Sequence, residues 1–329
     1  MHRQFIVIGC LLLALIAAPA GAAFAQDGFS PEQEAALETA RRAVDGFFAL
    51  ETYTVAYTQT LHQAIGVSLG AQAITIDQQI EQQGTTITER QAGNRFDNQF
   101  GTVDQTVTQT LSGDEIGQEQ TVTLTQTLEM IVLDDRAYMR LASDDPQVSA
   151  FFPEGWQDIT ENAIPGMEMY NMEQLLATTS TAFSAEMFDA LFGAVAEIEL
   201  LEPETLDGAA VERVHLVFDP AAALSGETAG GLRDMFNAAA MPFDVEGLLD
   251  LIFSDEDTAY AITLFLGAED GTLYGYDVVL NMDVAIPSEL VTDPSLAGAE
   301  MSLAQESVST LRFTDQNEPA AISAPPLEE

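Results

Sequence analysis

Apolar side chains recur at three- and four-residue steps through Leu37, Ala40, Val44, Phe47 and Phe48, and from Thr52 to about Ala142 they recur at every second residue. The first spacing predicts a helix with one apolar face. Its start is marked as well: Ser30, Pro31 and Gln33 read as a capping box with proline at the first helical position, and Glu32 and Glu34 suit the positive end of the helix dipole. The second spacing predicts strands. In TYTVAYTQTL, Tyr53, Val55, Tyr57 and Leu61 share one side, while Thr52, Thr54, Ala56, Thr58 and Thr60 share the other. The tetrapeptide TQTL returns at 108–111 and 125–128, where Val103, Val107 and Leu111, and then Val122, Leu124, Leu128, Met130 and Val132, stand opposite threonines. Threonine is β-branched yet polar, so it suits a pleated surface that faces water. Each copy of TQTL therefore predicts an orientation, with threonines outward and leucine inward. Shorter segments at 74–80, 85–88 and 137–141, with turns at Gln83-Gly84 and Ser112-Gly113-Asp114, complete an antiparallel meander of about six strands.

The pattern then changes. Between 146 and 195, Met167, Met169, Tyr170, Met172, Leu175, Phe183, Met187, Phe188, Leu191 and Phe192 fall mostly at helical spacing. Two strands are predicted at 196–202 and 211–219. A second helical block over about 226–253 carries Met235, Phe236, Met241, Phe243, Leu248, Leu249, Ile252 and Phe253. Strands return at 260–266, 273–284 and 300–313, the first pair joined by a turn at Glu269-Asp270-Gly271. This order predicts an α+β fold in which a curved antiparallel sheet wraps over several helices.

Residues 1–25 read as an export signal: His2 and Arg3 precede an apolar run from Phe5 to Ile16 that is shorter than the ~20 residues a spanning helix needs, and Ala23-Phe24-Ala25 supplies the small residues of a cleavage site. Val7-Ile8-Gly9-Cys10 matches a lipobox, but the apolar run continues past the cysteine, which argues against a lipid anchor at Cys10. Cleavage after Ala25 removes the single cysteine, so the core alone must stabilise the exported chain. The chain is expected to form a single domain over 26–318, followed by an acidic, proline-rich tail at 319–329. Its formal net charge is −43, with no lysine at all, and a surface so acidic repels nucleic acid and anionic headgroups.

The chemistry of catalysis is sparse. His62 and His215 lie in predicted strands far from any partner with metal-ligand spacing, and the acidic clusters Asp134-Asp135, Asp144-Asp145 and 254–257 lack the spacing of a calcium loop. No nucleophile elbow, phosphate loop or dinucleotide fingerprint is present, so neither a cofactor nor a metal is expected. What stands out is apolar supply, with 18 Phe and 11 Met in the chain. Met adapts its shape to varied apolar partners. Strand alternation and helical phase nominate Tyr53, Tyr57, Val107, Leu124, Met139, Met172, Phe188, Phe192, Phe236 and Leu249 as the lining of a hydrophobic cavity between sheet and helices. An ordinary filled core fits the same spacing.

Three further stretches carry a resemblance: RAYMRLAS followed by PEGW and QDIT, the TLYGYDV hairpin at Asp270-Gly271, and the ending LRFTDQNEPAAISAPP with Phe313, Asp315, Asn317, Pro319, Ile322 and Pro325. In these, and in the order of its elements, the chain resembles the LppX and LprG type of exported bacterial lipoproteins, related in fold to the LolA and LolB lipoprotein carriers. The resemblance implies a half-open β-barrel that holds a lipid or other acylated ligand outside the cytoplasm, without enzymatic activity. The expected molecule is a monomer with a hydrophobic ligand, transient membrane or envelope-protein contact and no nucleic-acid partner. The alternative is an envelope or surface protein with a filled core, making protein contacts through its threonine-rich sheet.

Overall fold

In a computed structural model, the structure describes residues 29–69, 72–91, 96–113, 119–146, 154–160, 185–219, 244–254, 258–292 and 298–326. The first element, α1 (Pro31–Phe48), starts as its sequence predicts: the Gln33 backbone N–H donates to Ser30 Oγ, and the Ser30 N–H donates to Gln33 Oε1. Its apolar face buries Leu37, Ala40, Val44 and Phe47. Five strands follow in a meander: β1 (Thr52–Leu69), β2 (Gln72–Glu89), β3 (Asn98–Gly113), β4 (Gln120–Leu133) and β5 (Arg136–Ser143). A two-residue strand, β6 (Gln157–Asp158), pairs with β5. After α2 (Ala185–Gly193) come β7 (Val195–Leu206) and β8 (Ala209–Phe218), then α3 (Val245–Ser254), β9 (Ala259–Gly267), β10 (Leu273–Ile286) and β11 (Glu300–Thr314).

All 11 strands join one curved, unclosed sheet in the order β6-β5-β4-β3-β2-β1-β11-β10-β9-β8-β7, and every neighbouring pair is antiparallel. The first and last long strands, β1 and β11, meet in the middle. Two hairpins turn on residues with positive φ that suit tight connections: Asp134-Asp135 between β4 and β5, and Asp207-Gly208 between β7 and β8.

The sheet dominates the fold more than an α+β reading implies. The segments predicted at 74–80 and 85–88 are one strand, because Gly84 runs straight through β2 beneath the ring of Tyr57 instead of turning, which leaves five meander strands rather than about six. Of the two helical blocks, α2 and α3 are described; residues 147–153, 161–184 and 220–243 lie outside the described residues.

Helix α1 lies against the face of the sheet to which Tyr53 and Val55 point. There it builds the main core with Phe188, Leu191 and Phe192 of α2, Val214 and Leu216 of β8, Ile262 and Leu264 of β9, Tyr276 and Val278 of β10 and Phe313 of β11. Aromatic rings fill the centre, with Phe47 stacked on Phe313 at 4.1 Å and 4.7 Å from Tyr53, and Phe188 edge-on to Tyr276 at 5.6 Å. The opposite face is hydrated. Thr108 and Thr123 hydroxyls lie 3.3 Å apart, Thr110 and Thr121 3.1 Å apart, and the Thr127 hydroxyl donates to Asp104 at 2.7 Å.

Candidate functional site

Strand parity defines the inner face beyond the core. On β1 the odd positions turn inward: Tyr53, Val55, Gln59, Leu61 and Gln63 are buried while Ala56, Thr58, Thr60 and His62 are exposed. Cross-strand register carries that parity to even positions of β2, β4 and β10 and to odd positions of β3, β5 and β11. Over these strands every Asp, Glu, Arg and His stands at the outward parity. In a chain with 53 acidic residues, this clearance sets an uncharged inner face against a charged outer one.

The face outruns the helix that packs on it. A strand of 18 residues spans about 60 Å, whereas a helix of 18 residues spans about 27 Å. Helix α1 packs mainly on β7 to β10 and, through Phe47, reaches Phe313 of β11 and Tyr53 of β1; among the described residues the inner sides of β2 to β4 have no comparable packing against it. There Val107 and Leu124, a cross-strand pair, are half-buried, and at the far end Ile74 and Val122 are 39% and 60% exposed. A small satellite core of Val132, Ala137, Met139 and Ile159 closes the near end of β4 and β5.

Aliphatic rows on this face alternate with glutamine rows. One row runs Gln126, Gln105, Gln82, Gln59 across β4, β3, β2 and β1, ending on Ser309 of β11. The next but one runs Gln109, Gln78, Gln63, Gln305 across β3, β2, β1 and β11. Between them lie Leu124, Val107, Ile80 and Leu61. In the first row Gln126 Nε2 donates to Gln105 Oε1; in the second, Gln63 Nε2 donates to Gln305 Oε1 at 3.3 Å. Gln63 and Gln305 are each only 1% exposed, and among the described residues Gln63 Oε1 and Gln305 Nε2 have no hydrogen-bond partner. Each such orphan costs ~1–3 kcal/mol. Ser307 and Ser309 are buried beside them on β11.

The residues nominated as a cavity lining divide. Tyr53, Phe188 and Phe192 are packed within the main core, and Met139 lies in the satellite core. Tyr57, Val107 and Leu124 lie half-buried on the inner face. Met172 and Phe236 fall outside the described residues; Leu249 belongs to α3, and its side chain is likewise not described. The glutamines were missed, although their signal was present. In TQTL the glutamine precedes leucine by two residues, so the parity that turns Leu61, Leu111 and Leu128 inward turns Gln59, Gln109 and Gln126 inward with them.

The histidines and the charged groups of these strands sit elsewhere. His62 Nε2 lies 2.9 Å from Asp77 Oδ2 on the outer face, and His215 Nδ1 lies 2.9 Å from the Thr263 hydroxyl. Arg312 donates to Asp277 at 2.8 Å, and Arg90 closes the rim of the core over the rings of Phe48 and Tyr53. Burial raises the Tyr53, Tyr57, Tyr260 and Tyr276 phenols above their ordinary range, Tyr57 to about 12. Among the described residues no group of three or more His, Cys, Asp or Glu could hold a metal ion, and no helix is long and apolar enough to cross a membrane. A hollow of about 420 Å³ opens across β11, β1, β2 and β3 at Ala56, Tyr57, Thr58, Thr85, Asp104 and Arg312.

No family model and no curated protein matches the chain. Solved structures similar to it include the lipoprotein LppX of Mycobacterium tuberculosis, at 10% identity over 88% of this chain and 99% of that one with a TM-score of 0.36. LprF of Mycobacterium bovis is similar at 13% identity over 90% and 98%, with a TM-score of 0.32. A LolA superfamily protein of Nitrosomonas europaea is similar at 8% identity over 88% and 94%, with a TM-score of 0.18. These are proteins of the kind that the sequence resembles.

Proposed function

We propose that the protein is an exported, non-enzymatic binding protein that holds a lipid or other acylated molecule against the inner face of its sheet. One observation carries this reading: an uncharged face, rich in aliphatic side chains, continues beyond the reach of α1 to the exposed Ile74 and Val122. Burial of an acyl chain there contributes about 0.8 kcal/mol per methylene, or on the order of 10 kcal/mol for a chain of about 16 carbons, before the costs of ordering. Acidic and threonine side chains turned outward keep the loaded molecule soluble and repel anionic surfaces, so transfer takes place in brief encounters. Export follows from the signal read at residues 1–25.

Native mass spectrometry of the purified full-length protein, followed by organic extraction, tests the reading. Adducts that extract as acyl-bearing molecules are the expected result. A protein that carries none, and that does not bind a fluorescent acyl probe after delipidation, is not a lipid-binding protein.

A further inference from the structure

The sheet has two edges, and they are not defended alike. At one edge β7 carries Pro203, β-bulges between Val195 and Glu197 and between Leu201 and Glu204, and glutamates at 197, 199, 202 and 204, while Gln33 Nε2 of α1 donates to its Ile198 carbonyl at 2.7 Å. Proline, bulges, charge and a covering element are the means by which a strand edge is kept from pairing with another chain. At the other edge β5 covers β4 only from Gln126 to Leu133. Asp144 closes one step more, its Oδ1 accepting from the Thr125 N–H and its own N–H donating to the Thr125 carbonyl. Because Thr125 turns its N–H and C=O to that side, Thr123 and Thr121 do so too, and among the described residues no strand pairs with them there. Gln120, Thr121, Val122 and Thr123 are all exposed, and from Gln120 to Leu128 the chain holds no charge, no proline and no glycine.

Thr121 and Thr123 thus offer their N–H and C=O groups to a strand laid in line with β5. The side chains set its chemistry. An incoming strand meets Val122 and Leu124 on the inner side and Thr121 and Thr123 on the outer side, so β-branched residues, alternately apolar and hydroxylated, fit it. Both ends of the uncharged stretch are acidic, with exposed Glu119 at one and exposed Asp144 at the other. A second copy paired antiparallel about Val122 would bring Glu119 of each copy towards Asp144 of the other, and would join two chains that each carry a net charge of −43. A strand with basic ends is drawn to both carboxylates instead. We propose that this edge of β4 docks an extended segment of a partner protein, uncharged and β-branched in its middle and basic at both ends, as a further strand of the sheet. Docking there does not depend on what the inner face holds.

Fluorescence anisotropy with the full-length protein and the labelled peptide Arg-Val-Thr-Val-Thr-Val-Arg, blocked at both termini, tests this. Binding is expected with a dissociation constant on the order of 0.1 mM, as a few exposed hydrogen bonds and screened ion pairs allow. It should weaken about threefold or more when salt is raised from about 0.05 to about 0.5 M. Thr123→Pro removes an edge donor but no bond to β3, since the Thr123 N–H faces away from β3, and should bind the peptide about fivefold more weakly or worse. The double variant E119Q/D144N, which keeps a carbonyl acceptor for the Thr125 N–H, should lose about threefold and most of the salt dependence. N-methylation of the two peptide threonines, whose N–H groups would face the edge, should abolish binding to the wild type, and this comparison holds even if Thr123→Pro does not fold. The assignment is overturned if the wild type binds no peptide, if the N-methylated peptide binds as tightly as its parent, or if Glu-Val-Thr-Val-Thr-Val-Glu matches the arginine-ended peptide. A wild-type dimer in light scattering that Thr123→Pro disperses would give the edge to a second copy and equally overturn the choice of partner.

Discussion

The ring of Tyr57 lies across Gly84 of the neighbouring strand, with its Cε1 2.7 Å from where a glycine Cβ would stand. The Thr102 carbonyl crowds the same point from the other side. A residue that reads as a turn is thus the gap that lets an aromatic ring close over the sheet.

Gly84→Ala is expected to destabilise the protein by ~1–3 kcal/mol, the usual range for forcing atoms into filled space. Thermal or denaturant unfolding measures it. Adding Tyr57→Ala removes the ring but not the Thr102 carbonyl, so the double variant recovers only part of the loss. Full recovery would show that the ring alone excludes a side chain at position 84.

The aromatic centre of the core makes a second expectation. Phe47 stacks on Phe313 and touches Tyr53, and it is 3% exposed, so Phe47→Ala should cost about 3–5 kcal/mol. Its neighbour Phe48 is only partly buried, under Arg90 and beside Phe188. Phe48→Ala should cost clearly less. Equal losses in chemical denaturation would mean that α1 docks with a different face from the one its capping and periodicity dictate.

Alkali should destabilise the fold through its tyrosines. Burial, with the Asp104 carboxylate adding to it, raises the Tyr57 phenol to about 12 from its ordinary 10.0. Below pH ~10 the phenol is neutral in both folded and unfolded chains, and its share of stability is fully present. Between about pH 10 and pH 12 only the unfolded chain ionises, so stability falls by up to about 2 kcal/mol from this residue. Tyr53, Tyr260 and Tyr276 shift in the same direction. Melting temperature followed from about pH 8 to pH 12 should drop more gently in Tyr57→Phe than in the wild type.

Period and parity made most of the sheet legible. Strands β8 to β11 lie within a residue or two of their predicted bounds, because β8, β10 and β11 alternate over most of their length and the link from β9 to β10 falls at the Asp270-Gly271 turn. The capping box at Ser30 set the start of α1 to the residue. Gly84 misled because glycine punctuates turns far more often than it admits a ring from the next strand. The candidate site was half legible. Parity placed Val107 and Leu124 on the inner face, but Tyr53 by the same alternation, and Phe188 and Phe192 by helical phase, pack into the core, since periodicity reports which way a side chain points and not whether another element lies on it. The glutamine rows escaped because they emerge only when four strands are set in register, and register is not written in any one of them.

The inner face also predicts where a charge does the most harm to function and the least to stability. Val107 pairs with Leu124 between the two glutamine rows, half-buried and beyond the elements that α1 contacts. Val107→Glu places a carboxylate on a face that otherwise has none, where a bound acyl chain would strip its water. Because the position is not closed over in the core, the free protein should lose no more than about 1 kcal/mol of stability. Affinity for an acyl probe should fall at least tenfold, whereas Thr108→Glu on the hydrated face one residue away should leave it unchanged. Displacement titrations of the two variants beside their melting curves decide the matter: equal affinities would move the ligand off this face, and a collapse in stability of Val107→Glu alone would make position 107 part of the core.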